Sequence, residues 1–211
     1  MTEAEVRERL VQWGRLLFGR NFTVGSSGNI SVRLEDGFLV TPTNSCLGLL
    51  DSTKLSKLDP EWRHVSGDKP TKELPLHRAF YEGRPQTQAV VHLHSTFATA
   101  LSCLADTDPA DAIPPITPYM VMRVGRVPVL PYTVPGSPDV APLVRAVAPD
   151  HAAVLLANHG PVVAGLSLDA AVFTAEELEE TAKLVVLTRG LNVRHLDAHQ
   201  IAALDASFKL R

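Results

Sequence analysis

Cysteine is scarce: the 211-residue chain has two, Cys46 and Cys103. Two are too few for a disulfide framework, so a reducing cytoplasm is the expected compartment and both thiols are expected to be packing residues. A basic excess is also missing. Lys and Arg number 20 against 23 Asp and Glu, a formal charge of -3, so no global pull acts toward nucleic acid or an anionic membrane. No uninterrupted apolar run approaches the ~18 residues of a membrane span. The acidic start, Met1-Thr2-Glu3-Ala4-Glu5, lacks the positive and apolar regions of a signal peptide. Internal repeats and low-complexity linkers are absent too, which leaves nowhere to place a boundary. A composition 45% hydrophobic and 20% charged suits one domain spanning residues 1–211 with a sizeable core.

What is present centres on Ala89-Val90-Val91-His92-Leu93-His94-Ser95-Thr96. Side chains alternate along a strand, so His92 and His94 share one face while Val91 and Leu93 share the other. Imidazole nitrogen is a favoured zinc ligand, and a catalytic zinc takes three protein ligands plus an open position. On spacing alone, an ordinary surface pair is as good an explanation.

Val6, Leu10, Trp13 and Leu17 recur at helical spacing, predicting an amphipathic helix ended near Gly19. Next, Gly25-Ser26-Ser27-Gly28-Asn29 leads into a short β stretch. A loop of small residues leaves N–H groups open to a phosphate, although an ordinary turn has the same composition. Phe38-Leu39-Val40 reads as a strand delivering Thr41-Pro42-Thr43-Asn44-Ser45, with Asn44 suited to a left-handed turn. Leu55-Ser56-Lys57-Leu58 reads as another short strand.

Thr71 is placed to cap a helix with Glu73 and Pro75 in its first turn and Leu76, Phe80 and Tyr81 on its buried side. There Glu73 could simply stabilise the helix dipole. A second helix resumes at Thr96. A proline-rich passage follows, carrying β-like pieces at Tyr119-Met120-Val121-Met122 and at 127–130, expected over the sheet edge or at a subunit contact. Residues 137–147 read as a helix. Ala153-Val154-Leu155-Leu156-Ala157 reads as a buried strand that releases Asn158-His159-Gly160, so His159 is a possible third ligand. A closing helix over 168–187 carries Glu176, Glu177, Glu179 and Glu180, read as a solvated face or subunit contact. His195 and His199 stand four apart on a terminal helix without a companion ligand, and His64, His77 and His151 carry no argument beyond solvent or packing.

In order, Gly28-Asn29-Ile30-Ser31, Thr41-Pro42-Thr43, Lys69-Pro70-Thr71-Lys72-Glu73, His92-Leu93-His94-Ser95 and Asn158-His159-Gly160 resemble the class II aldolase/adducin family over nearly the whole chain. The resemblance implies an α/β/α fold, with a central, mainly antiparallel sheet flanked by helices. It also implies a homotetramer with sites near subunit contacts. One divalent metal per chain is expected on His92, His94 and His159, zinc first, with manganese or cobalt as alternatives. Glu73 matches the family's acid/base carboxylate, itself able to ligate the metal in the empty enzyme. Gly28, Asn29, Thr43, Asn44, Thr71 and Lys72 match its phosphate-binding positions. Tyr119 is the nearest candidate for a second proton-handling group, in its own or a neighbouring subunit's site.

More narrowly, residues 47–57, 65–70, 119–138 and 176–183 look like 3-oxo-tetronate 4-phosphate decarboxylases. That resemblance implies loss of carbon dioxide through a metal-stabilised enediolate to give dihydroxyacetone phosphate. Fuculose-phosphate aldolases usually carry a small hydroxyl pair before the glutamate and a glycine after the TPT threonine, where this chain has Thr71-Lys72 and Asn44. A sugar-phosphate aldolase or ribulose-phosphate 4-epimerase on the same site is the alternative. A non-catalytic adducin-like binding module ranks below both, because all three histidines and Glu73 are present.

Overall fold

The computed structural model describes residues 1–208. Eight strands form one sheet: β1 (Asn29–Leu34), β2 (Gly37–Val40), β3 (Ser56–Leu58), β4 (His64–Ser66), β5 (Ala89–His92), β6 (Val129–Leu130), β7 (Ala153–Leu156) and β8 (Gly160–Gly165). Their order across the sheet is β4-β3-β2-β1-β5-β8-β7-β6, antiparallel throughout except for the β6–β7 pair. Helices cover both faces, as the alternation of strand side chains dictates. Ile30, Val32, Leu39, Val91 and Val163 pack toward α1 (Glu3–Gly19), α3 (Thr96–Cys103) and α5 (Leu168–Leu187). Their neighbours Val40, Val90, Val154 and Val162 pack toward α2 (Leu74–Gly83) and α4 (Val140–Val147). The expected three-layer fold with a mainly antiparallel sheet is what forms.

Local chemistry explains where elements begin and stop. Thr2 and Glu5 make a reciprocal capping box that starts α1. Pro75 sits in the first turn of α2, and Leu76, Phe80 and Tyr81 are buried as expected. That helix starts later than the sequence suggests. Glu73 is its cap residue with no capping bond of its own, and Thr71 Oγ1 accepts from the Glu73 N–H at 3.2 Å. The Glu73 carboxylate is therefore turned away from the helix end.

Four expectations need correction. The stretch 120–124 is a π-helical turn rather than a strand, because Met120 and Val124, four apart, are both buried, and Gly125 at φ 74° closes the turn. The last helix, α6 (Ala198–Phe208), starts after His195: Asp197 and Gln200 bond each other's backbone N–H reciprocally and set its beginning there, so His195 and His199 share no helix face. Cys103, at the end of α3, is exposed and Cys46 half-buried, so Cys103 is no core residue. Glu179 is not on a solvated face: it is 7% exposed and accepts from Phe97 N and Ala98 N, each at 2.8 Å, at the start of α3. Those N–H groups have no partner within their own helix, and Ser95 before them makes no capping bond, so a carboxylate from α5 supplies it. The proline-rich passage does run along the β6 edge of the sheet.

Candidate metal and active site

The end of β5 and the β7–β8 turn meet at one end of the sheet. His92 is the last residue of β5, and His94 follows just beyond it. His159 lies in the tight turn between β7 and β8, with Asn158 at φ 56° and Gly160 at φ 152°. At Gly160 any Cβ would lie 2.5 Å from Leu93 O, so only glycine lets the turn approach the histidine strand this closely. Gly28 (φ 81°) has the same function on the other side, where a Cβ would meet His92 O at 3.0 Å.

The three imidazoles point their Nε2 atoms at one another. His92 Nε2 lies 3.3 Å from His159 Nε2 and 3.2 Å from His94 Nε2. Zinc–nitrogen bonds of about 2.0–2.1 Å in a tetrahedron separate ligand nitrogens by roughly 3.4 Å, so the spacing fits a shared metal. The tautomer fits as well. His92 Nδ1 lies 2.9 Å from the carbonyl of Pro161, which can only accept, so the proton sits on Nδ1 and Nε2 presents its lone pair. Burial pushes the His92 pKa down to about 3 and drives those of His94 and His159 down as well. Neutral imidazoles, the form a metal needs, therefore dominate at neutral pH.

Glu73 completes the cluster. Its Oε2 is 3.4 Å from His92 Nε2 and its Oε1 3.6 Å from His159 Nε2. Burial opposes its ionisation, but the facing His92, a hydrogen bond from Asn29, and then His159 and His77 hold its pKa below the ordinary value. It rests ionised beside the histidines, placed to exchange a proton or to ligate a cation.

The remaining expected residues divide. The loop after β2 and the segment before α2 run side by side, joined by Thr43 N to Lys69 O at 2.9 Å and Thr71 N to Thr41 O at 3.2 Å. This brings Thr43, Asn44, Thr71 and Lys72 to one border of the site, with Asn44 in the left-handed conformation (φ 56°) expected of it. Lys72 is exposed and near enough that its charge helps keep His159 unprotonated. Asn29 is not an open anion contact: its Nδ2 donates to Glu73 Oε2 at 2.8 Å and its Oδ1 faces His77 Nε2. Tyr119 is 58% exposed and, among the described residues, makes no hydrogen bond to the cluster.

Sequence reasoning missed the partners behind Asn29. His77 is fully buried, its Nδ1 lies 2.7 Å from Ser31 Oγ, and Ser31 Oγ lies 3.0 Å from Tyr81 OH. A signal existed: His77 stands four residues after Glu73 on one helix face, and Ser31 two after Asn29 on one strand face.

Residues 8–186 match the profile of the Class II Aldolase and Adducin N-terminal domain. A 3-oxo-tetronate 4-phosphate decarboxylase from Haemophilus influenzae is 50% identical, the match covering 97% of this chain and 98% of that protein. An L-fuculose phosphate aldolase from the same organism is 32% identical, over 99% of this chain and 95% of that one. The crystal structure of YgbL from Klebsiella pneumoniae is 48% identical and superposes with a TM-score of 0.94, covering 97% of this chain and 99% of its own. The chain belongs to the class II aldolase/adducin family.

Proposed function

We propose that this protein is a 3-oxo-tetronate 4-phosphate decarboxylase, a carbon–carbon lyase that releases carbon dioxide and dihydroxyacetone phosphate. One observation carries the reading: three lone-pair-bearing imidazoles and an ionised carboxylate converge at one point, in a chain half identical to a relative of that name. Identity to the aldolase is lower, at 32%. His92, His94 and His159 would hold one divalent metal, zinc by its preference for nitrogen ligands, with Glu73 able to contribute an oxygen. When bound, that ion supplies Lewis-acid polarisation of the substrate ketone and a positive charge where electrons accumulate.

The substrate has a carboxylate at C1, a hydroxyl at C2, a ketone at C3 and a phosphate on C4. The C1–C2 bond breaks, carbon dioxide departs, and the electron pair moves into the C2–C3–oxygen system. C2 then takes up a proton, and the balance consumes one proton from solvent. Glu73, buried and adjacent to the histidines, delivers that proton to C2 after being loaded. Thr43, Asn44, Thr71 and the backbone at Gly28 receive the phosphate, and Lys72 adds a positive charge for an anionic substrate. The active form is a cytoplasmic homotetramer, with the exposed Tyr119 offered to its own or a neighbouring chain's site. Among the described residues, no helix is long and apolar enough to cross a membrane.

Incubating metal-replete protein with 3-oxo-tetronate 4-phosphate and, separately, with fuculose 1-phosphate tests the reading. Equimolar carbon dioxide and dihydroxyacetone phosphate from the first are expected, with little aldehyde from the second. Aldehyde release without decarboxylation would transfer the assignment to the aldolases.

A further inference from the structure

A line of five buried polar side chains runs from the middle of the α2 layer to the candidate acid. Tyr81, Ser31, His77, Asn29 and Glu73 are between 0% and 7% exposed. They come from two elements only, β1 and α2 with its cap residue. Around the inner end of this line the layer is apolar, with Phe38, Leu76, Phe80 and Val90 in the same core cluster. Leucine or phenylalanine at 77 would suit that surrounding, so the polar line calls for an explanation beyond packing.

Its hydrogen bonds have one consistent direction. Glu73, ionised, can only accept, so the atom of Asn29 that faces it at 2.8 Å is the amide Nδ2 donor. The amide oxygen then faces His77 and must accept, which puts the ring proton on His77 Nε2. His77 Nδ1 in turn accepts from Ser31 Oγ at 2.7 Å, and Ser31 Oγ accepts from Tyr81 OH at 3.0 Å. Every bond therefore depends on the one before it. Were His77 unable to donate, the buried Asn29 Oδ1 would lose its donor and the amide would no longer be anchored at that end. It could then shift to find another donor for its oxygen, loosening the Nδ2 bond that holds Glu73 Oε2.

We infer that His77, backed by Ser31 and Tyr81, is a positioning residue for Glu73, acting through the Asn29 amide. The inference rests on the reading of Glu73 as the proton carrier. Among the described residues His77 bonds Ser31 and Asn29 and none of the three clustered histidines, so its effect is on where the carboxylate points. Partners that orient a functional group from behind typically change affinity or activity by roughly 10–100-fold when removed.

Steady-state kinetics of metal-replete His77→Phe, His77→Gln, Glu73→Gln and the His77→Phe/Glu73→Gln double variant test this. In His77→Phe, kcat should fall roughly 10–100-fold, with KM and metal content near those of the parent. His77→Gln, whose amide can still donate to Asn29 Oδ1, should recover much of the loss. Because His77 works through Glu73, the double variant should be no slower than Glu73→Gln alone. If His77→Phe does not fold, Ser31→Ala takes its place in both comparisons, since it removes the donor to His77 Nδ1. Full turnover in His77→Phe or Ser31→Ala, or losses that multiply in the double variant, would overturn the inference while leaving the Glu73 reading intact. Normal turnover in Glu73→Gln would instead overturn the Glu73 reading, and the inference with it.

Discussion

Replacing Glu179 by alanine removes the carboxylate that serves the start of α3. The two N–H groups it serves, on Phe97 and Ala98, lie 2.8 Å from different oxygens of the same side chain. Glu179 is 7% exposed and Ala98 is fully buried, so water replaces these bonds poorly. A hydrogen bond to a charged group contributes about 1.5–3 kcal/mol, so losing two together should cost about 3–6 kcal/mol. A glutamate on a solvated helix face would cost within about 0.5 kcal/mol. Glu179→Gln should fall between, because its remaining oxygen can still accept one bond. Urea denaturation of metal-free protein measures the difference, and the substitution should also weaken metal binding, because α3 begins two residues after His94. A Glu179→Ala protein within about 0.5 kcal/mol of the parent would refute the capping role.

Three further outcomes are expected. Purified protein should hold about one divalent ion per chain; His92→Ala, His94→Ala and His159→Ala should each lower occupancy by elemental analysis, and His195→Ala should leave it unchanged. Thr43→Ala and Lys72→Met should raise KM for the phosphorylated substrate roughly 10- to 100-fold, the equivalent of one lost charge-assisted bond, at constant metal content. Asn29→Ala should instead lower kcat, because its amide holds Glu73. Burial pushes the pKa of His77 from 6.5 down to about 4, against the opposing charge of Glu73. The unfolded chain thus binds this proton more readily, so the stability contribution is present above pH 6.5 and declines as pH falls toward 4. Metal-free protein should lose about 2 kcal/mol from this group between pH 7 and pH 5, and denaturation of His77→Gln should lack that component.

Much of this architecture was legible because it rests on local periodicity. Alternation in Val90-Val91-His92-Leu93 correctly assigned the two faces of β5, and the left-handed tolerance of asparagine correctly placed a turn at Asn44. His92 and His94 drew attention by their spacing, whereas His159 needed the β7–β8 turn, 67 residues away, to be recognised as a strand end. The rest was hidden for a common reason. Glu179 looks like any member of an acidic run until α3 packs against α5 and presents its N–H groups. His77 looks like a packing histidine until β1 brings Asn29 and Ser31 to either side of its ring. Residues 120–124 have strand-forming composition, yet burial of Met120 and Val124 on one side selects a helical turn.

In the proposed reaction Glu73 carries the proton to the carbon that loses carbon dioxide. Measuring kcat for Glu73→Gln alongside its metal content tests this most directly, since glutamine keeps the shape of the side chain and cannot exchange a proton. The expected result is a folded protein that retains its histidine-bound metal and turns over at least about 100-fold more slowly, the lower end of what a general acid contributes. A metal-replete Glu73→Gln protein with near-normal turnover would contradict it.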